Sequence, residues 1–229
     1  MADRYTYLPL IGIFVMMVWG GADIATRLKL GKHTMALFGI VLLILLMSAA
    51  HFQVQTWRDS KTLYGHALEV TGKNYLAYSN LAAVYIDEGR IGLARKNLQE
   101  AIKIKPHYST AHYNLGVCLY EQGRLDEAQP HFEEAIRQNP SYADALFALG
   151  DTLLLKRDYQ GAASRYRDAL SLIPRNANAH NNLGIALMGL GRSREAAFHF
   201  REALLYDPAQ ESAKANLDKI SKIVNTSDH

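Results

Sequence analysis

Residues 80–106 read NLAAVYIDEGRIGLARKNLQEAIKIKP, and residues 114–140 read NLGVCLYEQGRLDEAQPHFEEAIRQNP. Two further segments follow the same pattern: 148–174, ALGDTLLLKRDYQGAASRYRDALSLIP, and 182–208, NLGIALMGLGRSREAAFHFREALLYDP. Each ends on a proline (Pro106, Pro140, Pro174, Pro208), and the spacing is 34 residues throughout with no insertion. A period of this length predicts a stack of helical pairs, each unit burying its apolar face only against its neighbours. Taking Tyr75, Ser109, Ala143 and Ala177 as first positions gives four complete repeats: 75–108, 109–142, 143–176 and 177–210.

Residue types at fixed positions explain how such a pair closes. Leu81, Leu115, Leu149 and Leu183 are followed by Ala82, Gly116, Gly150 and Gly184, small residues that let the first helix approach the second. Ala94, Ala128, Ala162 and Ala196 are the small residues facing them. Leu98, Phe132, Tyr166 and Phe200 fill the space between, one turn before Ala101, Ala135, Ala169 and Ala203. The prolines end each second helix, since their fixed φ and missing N–H cannot continue the ladder. Gly89, Gly123 and Gly191 supply the turn within three pairs, and the third has Arg157 and Asp158 there. These positions resemble the tetratricopeptide repeat (TPR), which implies an all-α superhelical solenoid.

Both ends of a solenoid need covering. Residues 211–224 begin a fifth unit, with Leu217 in the leucine position, and read as a cap helix before the polar tail at 225–229. Carried backwards, the register makes residues 57–74 half a repeat, with Tyr64 and Ala67 on packing positions and Ser60 on a small one.

Residues 1–56 have a different composition. The chain's mean hydropathy of −0.11 averages a charged repeat region with an apolar start. Residues 8–22 and 35–50 carry no formal charge, and with their flanks reach about 7–26 and 34–53. A spanning helix needs roughly 17–25 mostly apolar residues, so the expectation is a two-helix transmembrane hairpin. Tyr5, Tyr7, Trp19, Phe52 and Trp57 suit interfacial anchors, and Asp23 an interfacial position. Pro9 and the lack of an A-x-A site favour a span over a cleaved signal. Arg27, Lys29 and Lys32 place the connecting loop in the cytoplasm and the repeats outside it. The expected location is the bacterial inner membrane with the repeats on the periplasmic side, and the lipid bilayer as one partner. A net charge of +3 provides no field for nucleic acid.

No group of residues suggests catalysis, a metal or a cofactor. His112 and His180 sit at a packing position, and His131 and His199 recur two repeats apart, so all four read as architectural. Glu133 with Glu134 and Asp126 with Glu127 read as solvated carboxylates. Cys118 is alone, which excludes an internal disulfide.

Binding is the function that the resemblance implies. In TPR superhelices positions 2, 5, 6, 9, 12 and 13 of the first helix line the concave face. Here these supply Tyr113 and Phe147 at position 5, Val117, Asp151 and Ile185 at position 9, and Tyr120 and Met188 at position 12. Position 6 carries Asn80, Asn114, Ala148 and Asn182. This broken ladder resembles the peptide groove of O-GlcNAc transferase, where the amide pairs with an extended backbone. Asparagine also serves as scaffold in the repeat, so both readings stand. No lysine occupies position 5, so the chaperone-tail carboxylate clamp is absent. A protein or extended peptide segment is the expected partner.

The order ADRYTYLP at 2–9, a membrane hairpin, WRDS at 57–60 and then repeats resembles a further family. These are multi-span proteins with C-terminal TPRs, including TPR-containing O-mannosyltransferases and bacterial relatives of the GT-C type. In that family the acidic catalytic residues lie in an early loop, upstream of anything present here, so no catalytic residue carries over. Arg4 and Tyr7 match the junction motif. Two functions follow: a membrane-anchored scaffold gripping a protein in its groove, or the C-terminal segment of a lipid-sugar-dependent glycosyltransferase, joined to an upstream membrane domain, whose repeats select acceptor polypeptides.

Overall fold

A computed structural model describes residues 31–56 and 59–227, with Gly20 as an isolated position. The described residues form eleven helices and no strand. The chain divides into two compact units, Met1–Thr62 and Leu63–His229.

In the first unit, α1 (Lys32–Thr56) is 25 residues long. Its Leu37, Ile40, Val41, Leu43, Ile44, Leu45, Leu46 and Met47 are all exposed, so this helix is apolar around its whole circumference. The expected span at 7–26, the DRYTYLP motif and Trp57 with Arg58 lie outside the described residues. Among the described residues no helix is long and apolar enough to cross a membrane, so the expected hairpin gains no support there.

α2 (Ser60–Thr71) starts where Asp59 Oδ1 accepts the Thr62 backbone N–H at 2.8 Å. It ends at Gly72, whose φ of +63° is the left-handed stop that glycine adopts readily. No residue of α2 is buried, and the expected packing residues Tyr64 and Ala67 are half-buried.

The repeats follow as four pairs. The first helices are α3 (Tyr75–Asp87), α5 (Ser109–Glu121), α7 (Ala143–Leu155) and α9 (Ala177–Gly189). Their partners are α4 (Ile91–Ile104), α6 (Leu125–Gln138), α8 (Tyr159–Leu172) and α10 (Ser193–Tyr206), and α11 (Glu211–Ser227) covers the end. Each first helix packs on its own partner, each second helix packs on the next first helix, and successive first helices touch. That connectivity is a solenoid.

The core between partners is set by one matched pair of sizes per repeat. A Cβ on Gly116 would lie 2.6 Å from the Phe132 ring, one on Gly150 2.7 Å from Tyr166, and one on Gly184 2.5 Å from Phe200. The rings are fully buried, so they leave no room for a methyl group. In the first repeat the equivalent position does carry a Cβ, Ala82, and the residue across from it is the smaller Leu98. Glycine goes with a ring and alanine with leucine because the interior holds a fixed volume.

The turn of the third pair keeps the backbone of the others, although its sequence departs from theirs. Gly89, Gly123 and Gly191 have φ of 70°, 71° and 72°, and Arg157 takes the same turn at φ 63°. The next residue compensates: Asp158 Oδ1 accepts the Gly161 N–H at 2.9 Å, a cap that Arg90, Arg124 and Arg192 do not provide. Replacing Arg157 with glycine relieves the left-handed strain and is expected to stabilise the protein by about 0.5–1 kcal/mol. Chemical denaturation reads this as a higher midpoint at unchanged slope. A lower midpoint would mean the arginine makes up for its strain elsewhere.

Candidate functional site

The first helices bring most of the expected groove residues onto neighbouring positions. Tyr113, Val117, Tyr120, Phe147, Ile185 and Met188 are half-buried and pack against the core, so their remaining surface faces outward from the first helices. Tyr113 lies 5.0 Å from Tyr142 and 6.1 Å from Phe132, centroid to centroid. Burial and the nearby Asp144 raise the Tyr113 hydroxyl, and burial pushes Tyr142 up to about 12. These phenols are neutral donors at any ordinary pH. Tyr120 is likewise raised, by burial and then by the Asp151 and Glu121 carboxylates beside it.

The asparagines divide into two groups. Asn80 is exposed and Asn114 half-buried, and among the described residues neither amide makes a hydrogen bond, so each has a donor and an acceptor for an extended backbone. Asn182 is engaged. Its Nδ2 donates to Asp151 Oδ1 at 2.9 Å, and its Oδ1 accepts from Asn181 Nδ2 at 3.1 Å. Asn181, itself buried, accepts from Asn216 Nδ2 of α11 at 3.1 Å. This chain of amides ties the cap helix to the third repeat, and makes Asn182 scaffold.

Asp151 is where that chain ends. Its Oδ1 accepts a second bond, from the Tyr166 hydroxyl at 2.6 Å. Burial raises the carboxyl above its usual range, although both hydrogen bonds pull the other way. Tyr166 stands where the neighbouring repeats have Phe132 and Phe200, and Asp151 stands where they have Val117 and Ile185. The two substitutions explain each other, because a fully buried hydroxyl needs an acceptor. Tyr142, Asp144 and Asn216 belong to this region and are not predicted from sequence; Asn181 is expected at position 5 and Tyr166 between the helices, but not their hydrogen bonds. The joint change at 151 and 166 is the signal that could have revealed part of it.

The histidines serve packing between the helices of a pair. His112 Nδ1 lies 3.1 Å from His131 Nδ1, and His112 Nε2 lies 2.9 Å from the Pro106 carbonyl oxygen. His180, His199 and Pro174 repeat this at 3.0 Å and 3.0 Å. The carbonyl only accepts, so Nε2 of His112 and of His180 carries the proton. His131 and His199 then donate their Nδ1–H. Burial, and next the partner histidine, lower both: His131 falls below its usual value and His199 to about 4. As pH drops from about 6.5 towards 4 the unfolded chain binds protons that the folded chain refuses, so stability falls in that window and is intact above it. His199→Asn keeps a donor near Nδ1 and should flatten the loss of melting temperature between pH of about 7 and about 4.5. An equal loss in both proteins would contradict the assignment.

Family models for the tetratricopeptide repeat match residues 74–138, 119–177 and 177–210, together more than half of the chain. The chain belongs to the tetratricopeptide-repeat family. A TPR structure, YrrB, described as a TPR protein with an unusual peptide-binding site, aligns over 74% of this chain and 86% of its own with a TM-score of 0.62 and 21% identity. At that identity the likeness shows the TPR fold. Among curated relatives, the Protein O-mannosyl-transferase Tmtc2 of Drosophila melanogaster is 27% identical over 111 residues, 48% of this chain. The Protein O-mannosyl-transferase F38B6.6 of Caenorhabditis elegans is 31% identical over 107 residues, 47% of this chain. The match takes in 12% of the first relative and 15% of the second. The TPR fold of this chain is thus one suited to binding a protein or peptide.

Proposed function

We propose that this chain is a membrane-anchored TPR scaffold that holds an extended protein segment along its first helices. The observation that carries the binding half is the row of half-buried aromatic and apolar residues, Tyr113, Tyr120 and Phe147 among them, beside the unpaired amides of Asn80 and Asn114. Aromatic rings give contact area, and an amide beside them meets both the N–H and C=O of a passing backbone. Membrane anchoring rests on α1, whose exposed apolar side chains surround the helix and need an apolar cover. The basic residues before it favour repeats on the extracytoplasmic side of a bacterial inner membrane.

A photo-reactive phenylalanine analogue at position 147 should capture a partner in membranes more strongly than one at Phe198, an exposed residue of α10. Equal capture at both sites would overturn the groove assignment.

A second reading is favoured by the relatives. In it the chain is the C-terminal segment of a polytopic, lipid-sugar-dependent protein glycosyltransferase, and the groove selects acceptor polypeptides. The genomic sequence ahead of Met1 tests this. An open frame coding for further apolar spans with an acidic loop supports it, and an in-frame stop next to Met1 defeats it.

A further inference from the structure

Which kind of segment the groove takes can be read from its charges. Across the four first helices, positions 2, 5, 6, 9, 12 and 13 carry Asp87, Glu121, Asp144 and Asp151 and no lysine, arginine or histidine. The chain as a whole has a net charge of +3, so the sign of this face is reversed relative to the rest. Several exposed carboxylates elsewhere have cations: Arg124 pairs with Glu127, Arg192 with Glu195 and Lys156 with Asp126. None of the four on the first helices has an ion pair among the described residues.

Asp151 is the most informative of them. It is half-buried beside Tyr120, one oxygen is filled by Tyr166 and Asn182, and Oδ2 makes no hydrogen bond among the described residues. A neutral asparagine would satisfy the Tyr166 hydroxyl equally well, so the charge is not needed for packing. A desolvated carboxylate without a cation is unfavourable, and a ligand cation relieves it. Asp144 lies two turns earlier on the same face of α7, near Tyr113 and Tyr142. Two carboxylates about 10 Å apart along a helix, interleaved with tyrosine rings, match two cationic side chains three residues apart on an extended segment of polyproline-II twist, which brings every third side chain to the same side at a rise of about 3.1 Å per residue. The rings add cation–π attraction.

We propose that the groove selects a basic segment, one whose lysine or arginine side chains seat on Asp144 and Asp151 between Tyr113 and Tyr120. This rests on the groove reading above and specifies its occupant. Nucleic acid, with the same sign as the groove, is repelled.

The test uses the full chain in non-ionic detergent and a library of randomised twelve-residue peptides, with retained peptides sequenced by mass spectrometry. Enrichment of lysine and arginine over the input is expected. The most enriched peptide should bind about tenfold more weakly to the Asp144→Asn/Asp151→Asn protein and weaken as salt rises. Both substitutions keep shape, and the amide oxygen introduced at position 151 still accepts from Tyr166, so an unchanged melting curve confirms folding. Peptides retained through Phe147 without basic enrichment leave the groove standing and overturn the charge inference. Basic peptides that bind the double variant as tightly also overturn it. A library from which nothing is retained defeats the groove reading as well.

Discussion

Gly116→Ala should destabilise the protein by about 2–3 kcal/mol, lowering its melting temperature by about 5–10 °C. The new methyl group would lie 2.6 Å from the Phe132 ring, which is fully buried between helices and has nowhere to swing. The compensating change already exists in the chain. Ala82 and Leu98 solve the same packing problem in the first repeat with a larger residue on one helix and a smaller one on the other. Adding Phe132→Leu to Gly116→Ala should therefore recover most of the loss, although Phe132→Leu alone is destabilising because it opens a cavity. A double variant that melts at the temperature expected from adding the two single losses would show that the pair is not coupled.

The second large effect concerns Asp151 and Tyr166. Asp151→Val should cost about 1–3 kcal/mol, because the Tyr166 hydroxyl is fully buried and loses its acceptor. Tyr166→Phe in the same chain removes that stranded group and reproduces the combination of the second repeat, Val117 with Phe132. The double variant should return to within about 0.5 kcal/mol of the parent. Asp151→Asn, which keeps the acceptor and discards only the charge, should hold or raise stability. A denaturation series across the parent and these variants, with Tyr166→Phe alone completing the cycle, gives the coupling energy directly. A double variant as unstable as Asp151→Val would mean that the carboxylate holds the fold through Asn182 and the amide chain.

The solenoid was legible because its constraints are local and recur. A small residue facing a ring, a glycine in the turn and a proline after the second helix each depend on near neighbours, and four repetitions separate pattern from accident. The Arg157 turn was legible as a departure for the same reason. The binding face was harder. Position numbers assign Tyr113, Val117, Tyr120 and Phe147 to one face, but could not show that Asn182 is occupied by Asp151 and Asn181 while Asn80 and Asn114 make no hydrogen bond among the described residues. The Asp151–Asn182 bond, and the Asn216–Asn181 bond behind it, join residues 31 and 35 positions apart across different helices, and depend on how neighbouring repeats rotate against each other. Tyr142 was invisible because it lies in the loop before α7, where sequence gives no facing direction. The apolar start is read from composition, and α1 is the part of it with a described run of apolar side chains, from Ile40 to Met47, nearly all exposed.

Hydrogen exchange on the full chain, with and without the most enriched library peptide, tests groove binding most directly. Slower exchange is expected in Ser109–Glu121 and Ala143–Leu155, the first helices α5 and α7. Leu125–Gln138 and Tyr159–Leu172, the second helices α6 and α8, should exchange as before. Protection confined to the second helices would place the partner on the opposite face and contradict the binding site argued here.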